Sequence, residues 1–213
     1  MGSRKQTLIR LHSIIKRLYI DKDYDLFYRL SLLDDFKLSA EIVDFSNTQQ
    51  IKIEKITSSN TVTPISHWNF FFPNFQSGES ITKYTTYFCI SKLCNAYYIN
   101  HYFEIKDLNP DSFITDSMLE GEGFYGDPIT HTQAKLADII KDEMKNRGIE
   151  QLHVCDTEIV FPGIKYDTSA TDDMPKYIIG TTSDDMPEET LLQLTYRNLL
   201  FNDDMLDILP WRP

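Results

Sequence analysis

Apolar positions recur along this chain with two different periods. Between residues 4 and 20, Leu8, Leu11, Ile15 and Leu18, with Ile14 beside them, fall three or four apart, which places them on one stripe of an α-helix. Residues 23–36 repeat the spacing with Leu26, Phe27, Leu30 and Leu33, so the chain is expected to open with a helix pair. The period then shortens to two. Residues 84–90 and 96–105 are dense in β-branched and aromatic side chains, which suit a pleated surface. The connection near Lys92, Leu93, Cys94 and Asn95 is short, and closing so short a loop favours antiparallel pairing. Alternation puts Tyr97, Ile99, His101, Phe103 and Ile105 on one face, expected to be the core side. Ala96, Tyr98, Asn100, Tyr102 and Glu104 take the other. That second face is rich in tyrosine, which suits a covering helix or a partner surface.

Other segments build around this hairpin. Residues 38–45 and 50–56 are read as a further strand pair, because Ile51 and Ile53 alternate with Lys52 and Glu54 and Ser46, Asn47, Thr48 and Gln49 supply turn chemistry. Residues 65–75 hold His67, Trp68, Phe70, Phe71, Phe72 and Phe75, broken by Pro73. Such a cluster reads as a plug under the sheet or an exposed hot spot, with burial preferred. Thr130 and Gln133 form a capping box ahead of Leu136, Ala137, Ile140 and Met144, and Gly148 with Ile149 supplies a helix stop. Residues 152–161 return as extended chain ending at Pro162 and Gly163. Pro187, Glu188, Glu189 and Thr190 read as a first helical turn leading into Leu191, Leu194, Tyr196, Leu199 and Leu200.

The fold class expected is therefore α+β. A mainly antiparallel sheet built from hairpins is packed by an N-terminal helix pair and a helix near 131–147, with a C-terminal helix. Residues 1–213 are read as a single domain, with 166–213 an acidic C-terminal extension packed on it or appended to it. At 213 residues the chain can bury a sizeable core without disulfides. Three cysteines, an odd number, point to a reducing compartment. No apolar run approaches the length of a membrane helix, so a cytoplasmic protein without membrane contact is expected.

Charge changes the picture further. The net charge is −11, yet residues 1–17 hold Arg4, Lys5, Arg10, Lys16 and Arg17 with no acid, leaving 16 cations against 32 acids in the rest. That field repels phosphate and disfavours nucleic acid, while it steers a basic protein partner. Residues 108–129 are long, polar and punctuated by Gly121, Gly123 and Gly126, the features of a recognition loop. Candidate partner-binding residues are Glu120, Glu122, Phe124, Tyr125 and Asp127 in this loop, Tyr98 and Tyr102 on the hairpin, and Asp184 and Asp185 in the tail.

Motifs for catalysis are missing: the chain has no G-x-S-x-G elbow, H-E-x-x-H pair, Walker loop, kinase set or C-x-x-C pair. No catalytic residue, metal or cofactor is assigned. The first expectation is a small acidic intracellular binding protein that occludes a basic protein partner. In general character it is similar to bacterial immunity proteins, which shield basic toxin active sites; the likeness covers no motif and carries no residues over. The alternative is a hydrolase or nucleotide-modifying enzyme using His101, His131 or His153 with Asp127 or Asp156, which requires one of these imidazoles to meet a carboxylate in a pocket. Oligomeric state is left open.

Overall fold

The long hairpin forms the centre of the molecule. In the computed structural model, which describes residues 4–31, 36–56, 65–78, 80–107, 127–167, 177–179 and 191–201, its arms are β4 (Ser80–Ser91) and β5 (Ala96–Asp107). They pair antiparallel from Ser91 opposite Ala96 to Ser80 opposite Asp107. Asn95 closes the turn with φ +49°, a left-handed conformation that asparagine tolerates better than most residues.

Three strands lie on one flank of this pair. β2 (Ile65–Phe71) lies antiparallel to β4, β1 (Lys52–Ile56) lies outside β2, and the short β3 (Phe75–Ser77) also pairs with β4. On the far side β6 (Glu150–Gln151) runs parallel to β5. A second antiparallel sheet places β7 (Val160–Asp167) between β8 (Tyr177–Ile179) and β9 (Leu191–Thr195). The protein is an α+β fold with a mostly antiparallel sheet, as the patterning predicts.

Helices cover the sheet from both sides. The first side carries α3 (Ala40–Thr48) and α4 (His131–Asn146), whose Ile42, Leu136, Ala137, Ile140 and Met144 pack with Trp68, Phe70, Phe88, Tyr97 and Ile99 in one core. Both halves of the capping box at α4 are made. Gln133 N donates to Thr130 Oγ1 at 3.1 Å, and Thr130 N donates to Gln133 Oε1 at 3.1 Å. Gly148 ends the helix region at φ +68°, and Ile149 N reaches back to Met144 O at 2.9 Å, satisfying a carbonyl the helix leaves open.

The second side carries α1 (Arg4–Ile15), its π-helical continuation (Lys16–Ile20) and α6 (Tyr196–Phe201). Leu11, Ile15, Leu18 and Tyr19 meet Cys89, Ala96 and Tyr98 of the hairpin and Leu199, Leu200 and Phe201 of α6. Tyr19 donates its hydroxyl to Leu199 O at 2.5 Å. α2 (Tyr24–Ser31) adds Leu26 and Leu30 to this core.

Four local expectations are corrected. Residues 38–45 are not a strand: Ser39 caps α3, its Oγ accepting from Ile42 N at 3.3 Å, and Ile42 and Ser46 are buried one turn apart. Strand β1 therefore pairs with β2, so residues 65–71 form a strand rather than a plug. The preference for burial holds at Trp68, Phe70 and Phe72, while Phe75 is 61 % exposed. Residues 154–157 form a single helical turn, α5 (Val154–Thr157), and the strand that follows runs through Pro162 and Gly163, with a register irregularity between Val160 and Lys165. Finally, residues 191–195 are a strand, because they pair with β7, and helix begins only at Tyr196. The predicted first turn at 187–190 lies outside the described residues.

No helix among the described residues is long and apolar enough to cross a membrane.

Candidate functional site: an aromatic and amide cleft on the sheet

Three register rows cross β2, β4 and β5 on the face turned away from α4. They are His67, Cys89 and Tyr98; Asn69, Tyr87 and Asn100; and Phe71, Thr85 and Tyr102. Residues opposite one another on neighbouring strands share a face, so each row is a line of adjacent side chains.

The first row is closed by α6. Phe201 packs edge-on against Tyr98 with centroids 5.1 Å apart. The carbonyl of Phe201 lies 2.8 Å from His67 Nε2 and accepts a weak bond from Cys89 Sγ at 3.8 Å. A carbonyl only accepts, so that imidazole nitrogen carries the proton.

Beyond this seal the second and third rows border a cleft of about 340 Å³, lined by His67, Asn69, Tyr87, Tyr98, Asn100, Tyr102 and Arg197. His67, Tyr98 and Arg197 also border a neighbouring hollow of about 450 Å³ that reaches Glu158, Thr195 and Asn198. Tyr87 and Tyr102 stand with ring centroids 6.4 Å apart at 53°. Asn100 Oδ1 is buried without a hydrogen-bond partner among the described residues, a condition that costs free energy until an acceptor's partner arrives.

Charges around the cleft are matched. Arg197 contacts Glu158 at 2.9 Å, Lys52 lies 3.8 Å from Glu54, and Lys83 lies 3.9 Å from Glu104. Burial opposes the charge on Arg197, but Glu158 and the Tyr98 hydroxyl outweigh it and raise the pKa above the ordinary arginine value. Burial pushes the Tyr98 hydroxyl up. The Tyr87 hydroxyl is raised first by burial and then by the nearby Glu104 carboxylate. Both phenols are neutral donor-acceptors near pH 7.

Of the sequence candidates, Tyr98 and Tyr102 are brought into this cleft. Asp127 is exposed just before α4 and apart from it. Glu120, Glu122, Phe124, Tyr125, Asp184 and Asp185 lie outside the described residues. Tyr87 could have been found from the sequence, because a turn at 92–95 that sets Ser91 against Ala96 also sets Tyr87 against Asn100. Asn69, His67 and Arg197 reach the cleft through distant pairings and carry no local signal.

The acid–base candidates are dispersed. His101 is 2 % exposed, beneath the α4 side, with Nδ1 2.9 Å from Thr86 Oγ1. Burial, assisted by Lys141 and opposed by Asp127, lowers its pKa to about 4. His131 is exposed at the start of α4. His153 caps α5, its Nδ1 accepting from Cys155 N at 3.3 Å. Asp156 is held by Arg4 at 2.5 Å, and that contact raises the Arg4 pKa above its usual value.

None of the three histidines is hydrogen-bonded to a carboxylate among the described residues. His153 and Asp156 do share a groove of about 830 Å³ beside Arg4, Arg10 and Glu150, but each is occupied by the local contact given above. The cysteines do not assemble either. Cys89 and Cys94 are buried on the α1 side, Cys155 is exposed, and burial pushes the Cys94 thiol up to about 12. No group of three potential metal-ligating side chains occurs among the described residues.

Comparison of the chain with family models, with curated proteins and with solved structures finds no match in any of the three.

Proposed function

We propose that this chain is a stoichiometric binding protein that docks on a basic protein partner and occludes it, in a reducing intracellular compartment, in the manner of bacterial immunity proteins. The observation that supports the reading is the part of the sheet face beyond the Tyr98 row, where Asn69, Tyr87, Asn100 and Tyr102 are half-buried. Tyr87, Tyr102, Asn69 and Asn100 form a patch of aromatic rings and amides bordered by matched charges. Buried hot spots of this composition anchor protein interfaces. The net charge of −11 supplies attraction at long range and speeds encounter with a basic surface. The enzyme alternative has less support: His153 and Asp156 share a groove, but none of the three imidazoles is hydrogen-bonded to a carboxylate among the described residues.

The test is capture from native extract on the immobilised chain, washed at low and at high salt, with a Tyr87→Ala, Tyr102→Ala double variant beside the parent. One basic protein, retained near stoichiometry, released by salt and lost in the double variant, is the expected result. Equal retention by parent and variant removes this face from the reading. Retention of no basic protein removes the reading itself. Reversal of charge at Glu120 and Glu122 is expected to slow association and flatten its salt dependence, and unchanged association kinetics would exclude that loop from steering.

A further inference from the structure

The cleft has features that specify what enters it. Asn100 Oδ1 is a buried acceptor with no donor among the described residues, so the missing group is an N–H or O–H. The two tyrosine rings beside it, Tyr87 and Tyr102, are tilted at 53° with centroids 6.4 Å apart, and such rings attract a planar cation to their faces. The same sheet face already holds one cation in this way: Lys52 Nζ lies 5.8 Å from the Phe71 ring centroid. Arg197, which lines the cleft, is met by Glu158, and on the same sheet face Lys52 is met by Glu54 and Lys83 by Glu104. An incoming positive group therefore finds no uncompensated charge of its own sign among these three.

From these observations we infer that the cleft receives an arginine side chain of the basic partner, its guanidinium lying against Tyr87 and Tyr102 and donating to Asn100 Oδ1. This deepens the binding reading above and rests on it for the source of the arginine. Several donors in a fixed fork suit an acceptor at the floor and rings at the wall better than the compact ammonium of lysine does.

The test titrates N-acetyl-arginine amide into the full chain. NMR follows the side-chain amide of Asn100 and the rings of Tyr87 and Tyr102. N-acetyl-citrulline amide, which has nearly the same shape and no charge, is the control. Saturable shifts at these residues with arginine, and at least about tenfold weaker binding of citrulline, are expected, since hydrogen bonds to charged groups are the stronger class. Asn100→Leu is expected to weaken the arginine probe about tenfold. Asn100→Asp, which keeps the side-chain shape, is expected to tighten it and so reports even where the leucine variant folds poorly.

Equal binding of citrulline, or arginine shifts confined to other surfaces, overturns the inference. A basic partner captured through this face by a chain that ignores the arginine probe would refute the arginine anchor and leave the docking reading standing. The reverse pattern, arginine bound but no basic protein captured, would refute the docking reading instead.

Discussion

On the side beneath α4, Trp68, Phe88 and Ile99 stand in one register row, and the indole and phenyl rings stack at 5.5 Å. One residue further along each strand, Asn69, Tyr87 and Asn100 stand in the equivalent row on the reverse. The same three strands thus carry two surfaces of different chemistry, because successive side chains point to opposite faces. Apolar residues on the first surface are sealed by Leu136, Ile140 and Met144, all fully buried. On the second, among the described residues, Phe201 packs over the row of Tyr98, and Asn69, Tyr87, Asn100 and Tyr102 beyond it are half-buried. This separation gathers amides and phenols on one face, while the other face is mainly apolar and pairs its buried Thr86 and His101 with each other.

The largest expected effect lies on the sealed side. Ile140→Ala should cost about 3 kcal/mol, within the usual range for emptying a fully buried aliphatic site, whereas Asn69→Ala on the cleft face should change stability by no more than about 0.5 kcal/mol. Urea unfolding of both variants checks the contrast, and comparable losses would erase it.

Acid provides the next test. His101 accepts a proton only near pH 4 in the fold but near 6.5 when unfolded. Between those values the unfolded chain binds the extra proton, so stability falls as pH drops from about 6.5 to about 4, by roughly 3 kcal/mol. Below that window this group contributes no further loss. His101→Gln should remove that component from the pH dependence of unfolding midpoints; an unchanged slope would show that His101 is not the cause.

Smaller effects mark the boundaries of the two surfaces. Thr130→Ala, which deletes the α4 cap bond, should cost about 1 kcal/mol, read in the same unfolding assay. Glu104→Gln should leave stability nearly unchanged and bring the Tyr87 hydroxyl down toward its ordinary range, seen as an earlier phenolate transition by ultraviolet absorbance. A Tyr87 transition that does not move would place Glu104 outside its electrostatic environment.

Elements whose signals are local are legible in the sequence. α4 carries its cap, its stripe and its stop within residues 130–149, and the structure realises each. The hairpin is equally self-contained, since alternation and a short turn fix its register. α3 misleads because Ile42 and Val43 favour strands while the cap at Ser39 decides for helix, and a short apolar run does not settle the matter by periodicity. β9 misleads in the opposite sense. Leu191 and Leu194 fit a helical spacing, but β7, more than twenty residues earlier, supplies the pairing that draws the segment into a strand. The cleft divides the same way: Tyr98 and Tyr102 follow from alternation, whereas Asn69 and Arg197 arrive through contacts that no local pattern encodes.

The contact between Tyr19 and Leu199 joins residues 180 positions apart, and this separation sets an order of events during synthesis. Loop closure over that distance must precede any gain from the contact. As the ribosome moves from the amino end, the hairpin and α4 can assemble against each other while Leu11, Ile15 and Leu18 of α1 still lack α6. The cover of the first helix is thus completed last: its stripe can meet Cys89, Ala96 and Tyr98 of the hairpin early, but gains Leu199, Leu200 and Phe201 only when α6 is made.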